Sequence, residues 1–384
     1  GGGGSSYINT GVVTSGATNP GSGQTPGNNT DPYRGSAGNG GNPGSAGSTG
    51  LIVISTNAAG NPATSSLNWA KFDPGNGTVI NADPGNGACS GWCTTSTYNM
   101  PANRSNFSLV AYNGYLYAMG GNDEFGPNPG STGHKKNTIY VAKLGANGEP
   151  RLWNPDSDNP ASWTYWHTSS VTLHASAGYN NAAAVAYNNK MYWIGGLDDS
   201  TSAGAAKSTV YVANILPDGK LGSWSASTAL SSGGPGVLYG MTGLVYNDRI
   251  YITGGAASVG GAPIASVYYI KINSDGTLAS SWVQTSSFTA GRLNMGGTNA
   301  VVWNGYLYVT GGCSAVNASG ICTTVVGDTQ IASINADGTL DAFTTITGLT
   351  ESRIGFGMLA WRDNIYVVGG CTAQDASSGA CLGG

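Results

Sequence analysis

Residues Ala300-Val-Val-Trp-Asn-Gly-Tyr-Leu-Tyr-Val-Thr-Gly-Gly312 decide how the whole chain is read. An apolar run, an Asn-Gly pair, a second run with tyrosine at its centre and a Gly-Gly pair follow one another. Asn-Gly accepts positive φ at both positions, so it joins two antiparallel strands in a tight hairpin. The phrase returns at Leu109–Gly121, Ala184–Gly196, Gly243–Gly255 and Leu359–Gly370. Its Gly-Gly pairs begin at Gly120, Gly195, Gly254, Gly311 and Gly369, at intervals of 75, 59, 57 and 58 residues. The long first interval holds an insertion around Arg151–Trp166, where Trp153, Trp163 and Trp166 crowd together. A fixed period of this size made of strand-like phrases indicates a solenoid, a propeller or an array.

Each repeat carries a second phrase. An alternating run (Thr138–Leu144, Thr209–Ile215, Val267–Ile272, Thr329–Ile334) leads into Asn147-Gly148, Asp218-Gly219, Asp275-Gly276 or Asp337-Gly338. An aromatic residue follows: Trp153, Trp224, Trp282 or Phe343. Period-2 alternation is the mark of a half-buried strand, and no segment sustains a 3.6-residue period. The reading is four antiparallel strands per repeat, the arrangement of a β-propeller blade. Gly-Gly then lies at the crowded inner edge, and the recurrent Trp packs between blades.

The stretch Arg353-Ile-Gly-Phe-Gly-Met-Leu-Ala-Trp-Arg-Asp-Asn-Ile-Tyr-Val-Val-Gly-Gly370 resembles a kelch repeat. Arg104 stands in the same relation to Gly120, Arg292 lies three residues further upstream of its pair, and the repeats ending at Gly196 and Gly255 have no such Arg. The resemblance covers residues 57–384 and implies an all-β, kelch-like β-propeller of four-stranded blades. Five blade motifs are visible. The C-terminal hairpin Leu359–Gly370 lacks outer strands, and Leu67–Thr97, with Trp92, supplies an outer pair without inner ones. Either these halves close a ring of five, or the motifs belong to a six- or seven-bladed ring, the latter being preferred. The fold hosts binders and enzymes alike.

Residues 1–56 differ in kind. About one-third of the first fifty are glycine, with little apolar surface to offset ordering entropy. The bland reading is a linker. The order Gly-Gly-Gly-Gly-Ser-Ser-Tyr7, Asp31-Pro-Tyr33 and Gly47-Ser-Thr-Gly-Leu-Ile-Val-Ile-Ser55 is also similar to the end of the glycine-rich modules of large bacterial surface proteins. Neither terminus reads as a natural chain end, so a processed chain or part of a longer one is expected.

Charged residues are 9% of the chain, against about 25% in ordinary soluble proteins. A surface of neutral hydroxyls and amides suits export, and a net charge of −4 leaves no basic stripe for nucleic acid. The longest apolar runs are strand-length, so no membrane span is expected. The six cysteines fall into local pairs, Cys89 with Cys93, Cys313 with Cys322 and Cys371 with Cys381. There is no Cys-x-x-Cys and no His close to them in sequence. Three disulfides and an extracellular, cell-surface location are preferred over metal sites.

Sequence names no reaction. The copper oxidases built on a kelch-like scaffold need converging His, Tyr and Cys ligands, and this chain has only His134, His167 and His174. Sialidase Asp boxes separate Asp from Gly by one residue, whereas Asp218-Gly219, Asp275-Gly276 and Asp337-Gly338 are adjacent. Arg104, Arg292 and Arg353 either grip a carboxylate or brace their hairpins, the second being preferred. Asp123-Glu124, Asp198-Asp199 and the pair Asp156 and Asp158 offer carboxylates for glycoside hydrolysis or calcium, although neighbouring loop carboxylates are usually solvated. What remains is variation among the loops after each Gly-Gly, at 122–137, 197–208, 256–266, 313–328 and 371–382. Long, divergent loops on a rigid scaffold are where binding sites occur. Asp123, Glu124, Asp198 and Asp199 are therefore the candidate binding residues. No catalytic residue and no cofactor other than calcium is nominated. The expected partner is a glycan, a cell-surface protein or another copy of the chain; the preferred function is non-enzymatic adhesion. A carbohydrate-active enzyme and a purely structural filament or surface-layer subunit are the alternatives.

Overall fold

A computed structural model describes residues 100–102, 104–123, 134–145, 148, 150–173, 178–199, 204–294, 297–361, 364–377 and 379. The chain divides into two compact bodies, Gly1–Asn68 with Ala360–Ile365, and Trp69–Leu359 with Tyr366–Gly384. Almost everything described belongs to the second. The glycine-rich segment, the boundary near residue 56, the Leu67–Thr97 phrase, Glu124 and His174 lie outside the described residues. So do Cys89 and Cys93, both members of one expected disulfide, and Cys381, one member of another.

The architecture is all-β and antiparallel, with one short 3₁₀ turn, Pro160–Ser162, as the only named helical element among the described residues. Repeat 1 pairs Ser108–Tyr112, Tyr115–Met119, Ile139–Leu144 and Pro150–Arg151 in sequence order. Repeat 2 does so with Ala183–Tyr187, Lys190–Ile194, Val210–Asn214 and Ser225–Ala226. Repeat 3 uses Thr242–Tyr246, Arg249–Thr253, Val267–Lys271 and Val283–Gln284; repeat 4 uses Ala300–Trp303, Tyr306–Val316, Cys322–Ser333 and Thr344–Ile346. Repeat 5 has Gly357–Trp361 and Asn364–Val368 alone. Repeat 1 departs from four strands because its insertion returns a fifth, His167–Thr168, onto Ile139–Leu144.

The hairpin turns behave as their side chains demand. Asn113-Gly114 and Asn304-Gly305 take positive φ at both positions, and so do Asn188-Asn189 and Asn247-Asp248 in the repeats that lack Asn-Gly. Asn and Asp tolerate the left-handed region because their short polar side chains bond locally.

Consecutive repeats pack first strand against first strand. Ser108 Oγ donates to the Ala182 carbonyl at 2.7 Å, Thr242 Oγ1 to Asn299 Oδ1 at 2.8 Å, and Thr298 Oγ1 to the Met358 carbonyl at 3.1 Å. In repeats 1 to 3 the central tyrosine of the second strand seals the joint. Tyr117, Tyr192 and Tyr251 are fully buried and donate to the carbonyls of Gly219, Gly276 and Gly338, the turn glycines of the next repeat. Burial pushes the Tyr192 and Tyr251 hydroxyls up to about 12, so they stay protonated donors.

Gly-Gly makes a further joint. Gly121, Gly196, Gly255 and Gly312 donate to the carbonyls of Tyr179, Leu238, Arg292 and Arg353, each just ahead of the next repeat's first strand. A Cβ on Gly120, Gly195 or Gly254 would sit 2.5, 2.5 or 2.3 Å from that same carbonyl oxygen. Only glycine permits the approach. At Gly369 a Cβ would meet nothing within 4 Å. Trp282 fills another part of a joint: it is 2% exposed, and its Nε1 donates to the Thr228 carbonyl of repeat 2 at 3.3 Å.

Candidate recognition face

The segments before each first strand and the segments after each Gly-Gly meet at one end of the sheets. Isolated bridges pair Ser105 with Asn122, Tyr239 with Ala256, Leu293 with Cys313 and Ile354 with Cys371; in repeat 2 the short strands Tyr179–Asn180 and Leu197–Asp198 do the same. Beside these pairs a belt of hydrogen bonds crosses the repeats. Asn181 N–H donates to the Asn106 carbonyl, Gly240 N–H to that of Asn181, Asn294 N–H to that of Gly240, and Gly355 N–H to Asn294 Oδ1. Asn106, Asn181, Gly240 and Gly355 have positive φ, which turns the chain into the belt.

Asp123, Asp198 and Asp199 all lie on this face, and each carboxylate is held by a lysine. Lys136 Nζ is 2.5 Å from Asp123 Oδ2, Lys207 Nζ 2.8 Å from Asp198 Oδ2, and Lys135 Nζ 3.0 Å from Asp199 Oδ1. The Lys135 side chain is 0% exposed and reaches from the loop of repeat 1 to that of repeat 2. The expectation of solvated loop carboxylates therefore fails for Asp198, which is 5% exposed: a buried carboxylate needs a charge partner, and Lys207 supplies it. Lys136, and after it His134 Nδ1 at 3.2 Å, hold the Asp123 carboxyl below its usual range. Sequence reading passed over the three lysines; the signal was Lys135-Lys136 and Lys207 at the ends of acidic loops.

The arginines hold their own repeats. Arg292 is 4% exposed and meets Asp328 with Nη2 at 2.6 and 2.5 Å, while Gln330 Nε2 donates to the same carboxylate at 2.7 Å. Burial pushes the Arg292 guanidinium down from its ordinary value, and Asp328 opposes that. Arg104 donates to Thr138 Oγ1 and the Tyr140 hydroxyl, and Arg353 to the Gly369 carbonyl and Glu351. His167 pairs with Asp156 at 3.2 Å beneath Trp153, away from His134. Among the described residues no group of three or more His, Cys, Asp and Glu side chains converges.

Over repeat 4 the expected loop is an extended hairpin instead. Its second and third strands run on for 11 and 12 residues, through Gly311-Gly312, and the Cys313–Cys322 disulfide ties them at a Cα–Cα distance of 5.7 Å. Alternating Val and Thr residues beyond the Gly-Gly continue the strand pattern, which is why an arm forms. Asn317 Nδ2 donates to the Ala376 carbonyl and Gln374 Oε1 accepts from Cys322 N–H, joining the arm to the segment after repeat 5. On the other side the arm meets repeat 3, where Gly260 closes on the Ala318 carbonyl. Of the three expected cysteine pairs, Cys313 with Cys322 is thus seen as a disulfide, and Cys371 is disulfide-bonded as well. The pairing of Cys89 with Cys93 falls outside the described residues.

No family model and no curated protein matches the sequence. Among solved structures, one described as "Structure of YjhT" is similar over 71% of this chain and 92% of its own, at 15% identity and a TM-score of 0.43. A likeness at that level fixes neither activity nor fold. The function is therefore argued from the face itself.

Proposed function

We propose that the chain is a non-enzymatic, exported surface protein whose kelch-like propeller presents this face to a glycan or a cell-surface protein. The propeller reading is supported by the recurrence of the same three joints, first strand, tyrosine and Gly-Gly, between successive four-stranded sheets. The Cys313–Cys322 disulfide favours an oxidising compartment. One observation carries the recognition reading: the disulfide-tied arm is braced against the loops on both sides, so a long, sequence-divergent surface is held in one conformation. Pre-ordering of that kind lowers the entropy cost of binding. Glycosidic catalysis needs one carboxyl kept protonated beside one ionised, whereas Asp123, Asp198 and Asp199 each sit against an ammonium. Calcium in these loops would have to displace the same lysines.

Binding of the wild-type chain to glycan arrays and to intact cells, beside a variant with 314–321 replaced by a short Gly-Ser turn, tests the proposal. Binding that is lost with the arm is the expected result; a wild-type chain that binds neither glycans nor cells sinks it. Polysaccharide turnover by wild type that disappears in Asp198→Asn/Asp199→Asn would establish the enzymatic alternative instead.

A further inference from the structure

We infer that the insertion of repeat 1 is a second binding site, an aromatic plate that takes one or two sugar rings of a neutral glycan. The insertion, Arg151–Trp166, belongs to the first interval alone and gathers Trp153, Trp163 and Trp166. Its two sides meet at one antiparallel bridge: Trp153 N–H donates to the Thr164 carbonyl at 2.9 Å, and Thr164 N–H to the Trp153 carbonyl at 3.1 Å. Side chains flanking such a pair alternate between two faces. Trp153 turns inward, where it is buried against the rings of Tyr115 and His167 at 5.4 and 5.8 Å. Leu152, Asn154, Trp163 and Tyr165 therefore share the other face, and on it Leu152 and Trp163 are 50% and 38% exposed.

The plate is held in one orientation. Trp163 Nε1 donates to the Ser157 carbonyl at 3.0 Å, so the one polar atom of the ring is spent inside the loop and its carbon face is what solvent meets. Asn154 clamps the loop at both ends, its Oδ1 accepting from Asp156 N–H at 2.9 Å and its Nδ2 donating to the Ser162 carbonyl at 3.2 Å. Lys220, in the turn of repeat 2, holds Asp156 at 3.0 Å. A fixed ring binds without a further ordering cost. Its size selects the occupant. Trp163 and Leu152 together offer on the order of 200 Å² of apolar surface, against about 800 Å² per partner in a stable protein interface, so a second copy or a globular protein is not held here. A sugar ring matches that area: its C–H face stacks on the indole, and its hydroxyls reach out to acceptors at the rim. Asp158 follows the carbonyl that fixes the indole, is exposed, and among the described residues nothing bonds its carboxylate. With Asp156 close by in the chain, it accepts sugar hydroxyls and repels acidic glycans, which makes the ligand neutral.

This site does not depend on the disulfide-tied arm, and one experiment separates the two. Arrayed neutral oligosaccharides of glucose, galactose, mannose and N-acetylglucosamine, with sulfated and sialylated ones for contrast, are probed with the full chain and its variants. Neutral-glycan binding is expected to survive replacement of 314–321, and Trp163→Ala is expected to weaken it about tenfold by removing the stacking partner. Trp163→Phe keeps a flat ring and should stay within about threefold of wild type, whereas Trp163→Leu keeps apolar area without the ring and should fall with Trp163→Ala. The Leu variant also decides the matter if Trp163→Ala does not fold. Binding lost with the arm but unchanged by Trp163→Ala and Trp163→Leu supports the arm and overturns the plate; the converse pattern supports the plate and overturns the arm. A wild-type chain that binds no neutral oligosaccharide, or prefers the anionic ones, overturns the assignment. So does a wild-type dimer in sedimentation that Trp163→Ala dissociates, because a second copy then covers the ring.

Discussion

The candidate face has two halves built on one backbone plan. Over repeat 1 the bridging positions are polar, Ser105 opposing Asn122; repeat 2 is mixed, with Asn180 donating to Asn122 Oδ1 at 2.9 Å while its register partner Leu197 joins the apolar cluster of the other half. Lys135, Lys136 and Lys207 neutralise the acidic loops around them. Over repeats 3 to 5 the same positions hold Tyr239 with Ala256, Leu293 with Cys313 and Ile354 with Cys371, packed into one apolar cluster under the disulfide. Equivalent backbone positions are thus stabilised by charge pairing on one side and by burial with covalent closure on the other. Charge pairing weakens with salt and acid, whereas burial does not. The Gly-Gly joints beneath are common to both halves.

The largest effects are expected where a charged side chain is buried, as Arg292 is. Arg292→Ala empties a buried site and leaves Asp328, 31% exposed, with Gln330 Nε2 as its remaining side-chain donor, so the loss falls at the lower end of the buried-pair range, about 3 kcal/mol. Urea unfolding checks it; a loss under about 1 kcal/mol would mean that the pair does not hold repeat 4 together. The shared joint comes next. Gly254→Ala meets both a positive φ and the Arg292 carbonyl, so about 2–5 kcal/mol is expected from the left-handed strain plus overpacking. Gly369→Ala meets positive φ in open space and should cost only about 1–2 kcal/mol. Equal melting temperatures for the two variants would refute the idea that Gly-Gly exists for close approach.

That comparison also marks how far the sequence could be read. The strands, their turns and the need for Gly-Gly were legible because each follows from local chemistry: Asn-Gly turns, period-2 alternation, a missing Cβ. The face was legible only in outline. Asp123, Asp198 and Asp199 were found on it, but their lysine partners were not, because Lys135 reaches Asp199 across 64 residues of chain and no local pattern encodes that contact. The arm at 313–328 reads as a loop in sequence because the Gly-Gly in the middle of its strand looks like a break. Gly312 at φ 98° does interrupt the register there, between Thr310 and Gly312, yet the two strands pair again beyond it.

Opening the covalent tie sharpens the contrast at intermediate size. Cys313→Ser with Cys322→Ser should lower stability by about 2–3 kcal/mol, the value for closing a loop of some ten residues. Hydrogen exchange should show the loss first at the arm and at its contacts with Gln374 and Ala376, while the lysine-paired loops over repeats 1 and 2 are unchanged. Loosening that spread equally to both halves would show that they are one cooperative structure.

The smallest effect is the most selective. Asp123 has a folded-state pKa held below its ordinary value by Lys136 and His134. Its contribution is therefore fully present above the unfolded value, about 3.9, and is lost as pH falls from there through the folded one. Asp123→Asn should remove that part of the acid limb and leave stability near neutral pH lower by at most about 1 kcal/mol, as for other exposed ion pairs. Raised salt should shrink the difference between wild type and variant, because the pair is open to screening. The disulfide variant should respond to neither acid nor salt in this way. If Asp123→Asn changed the acid limb no more than the disulfide variant does, charge would not be what holds the polar half.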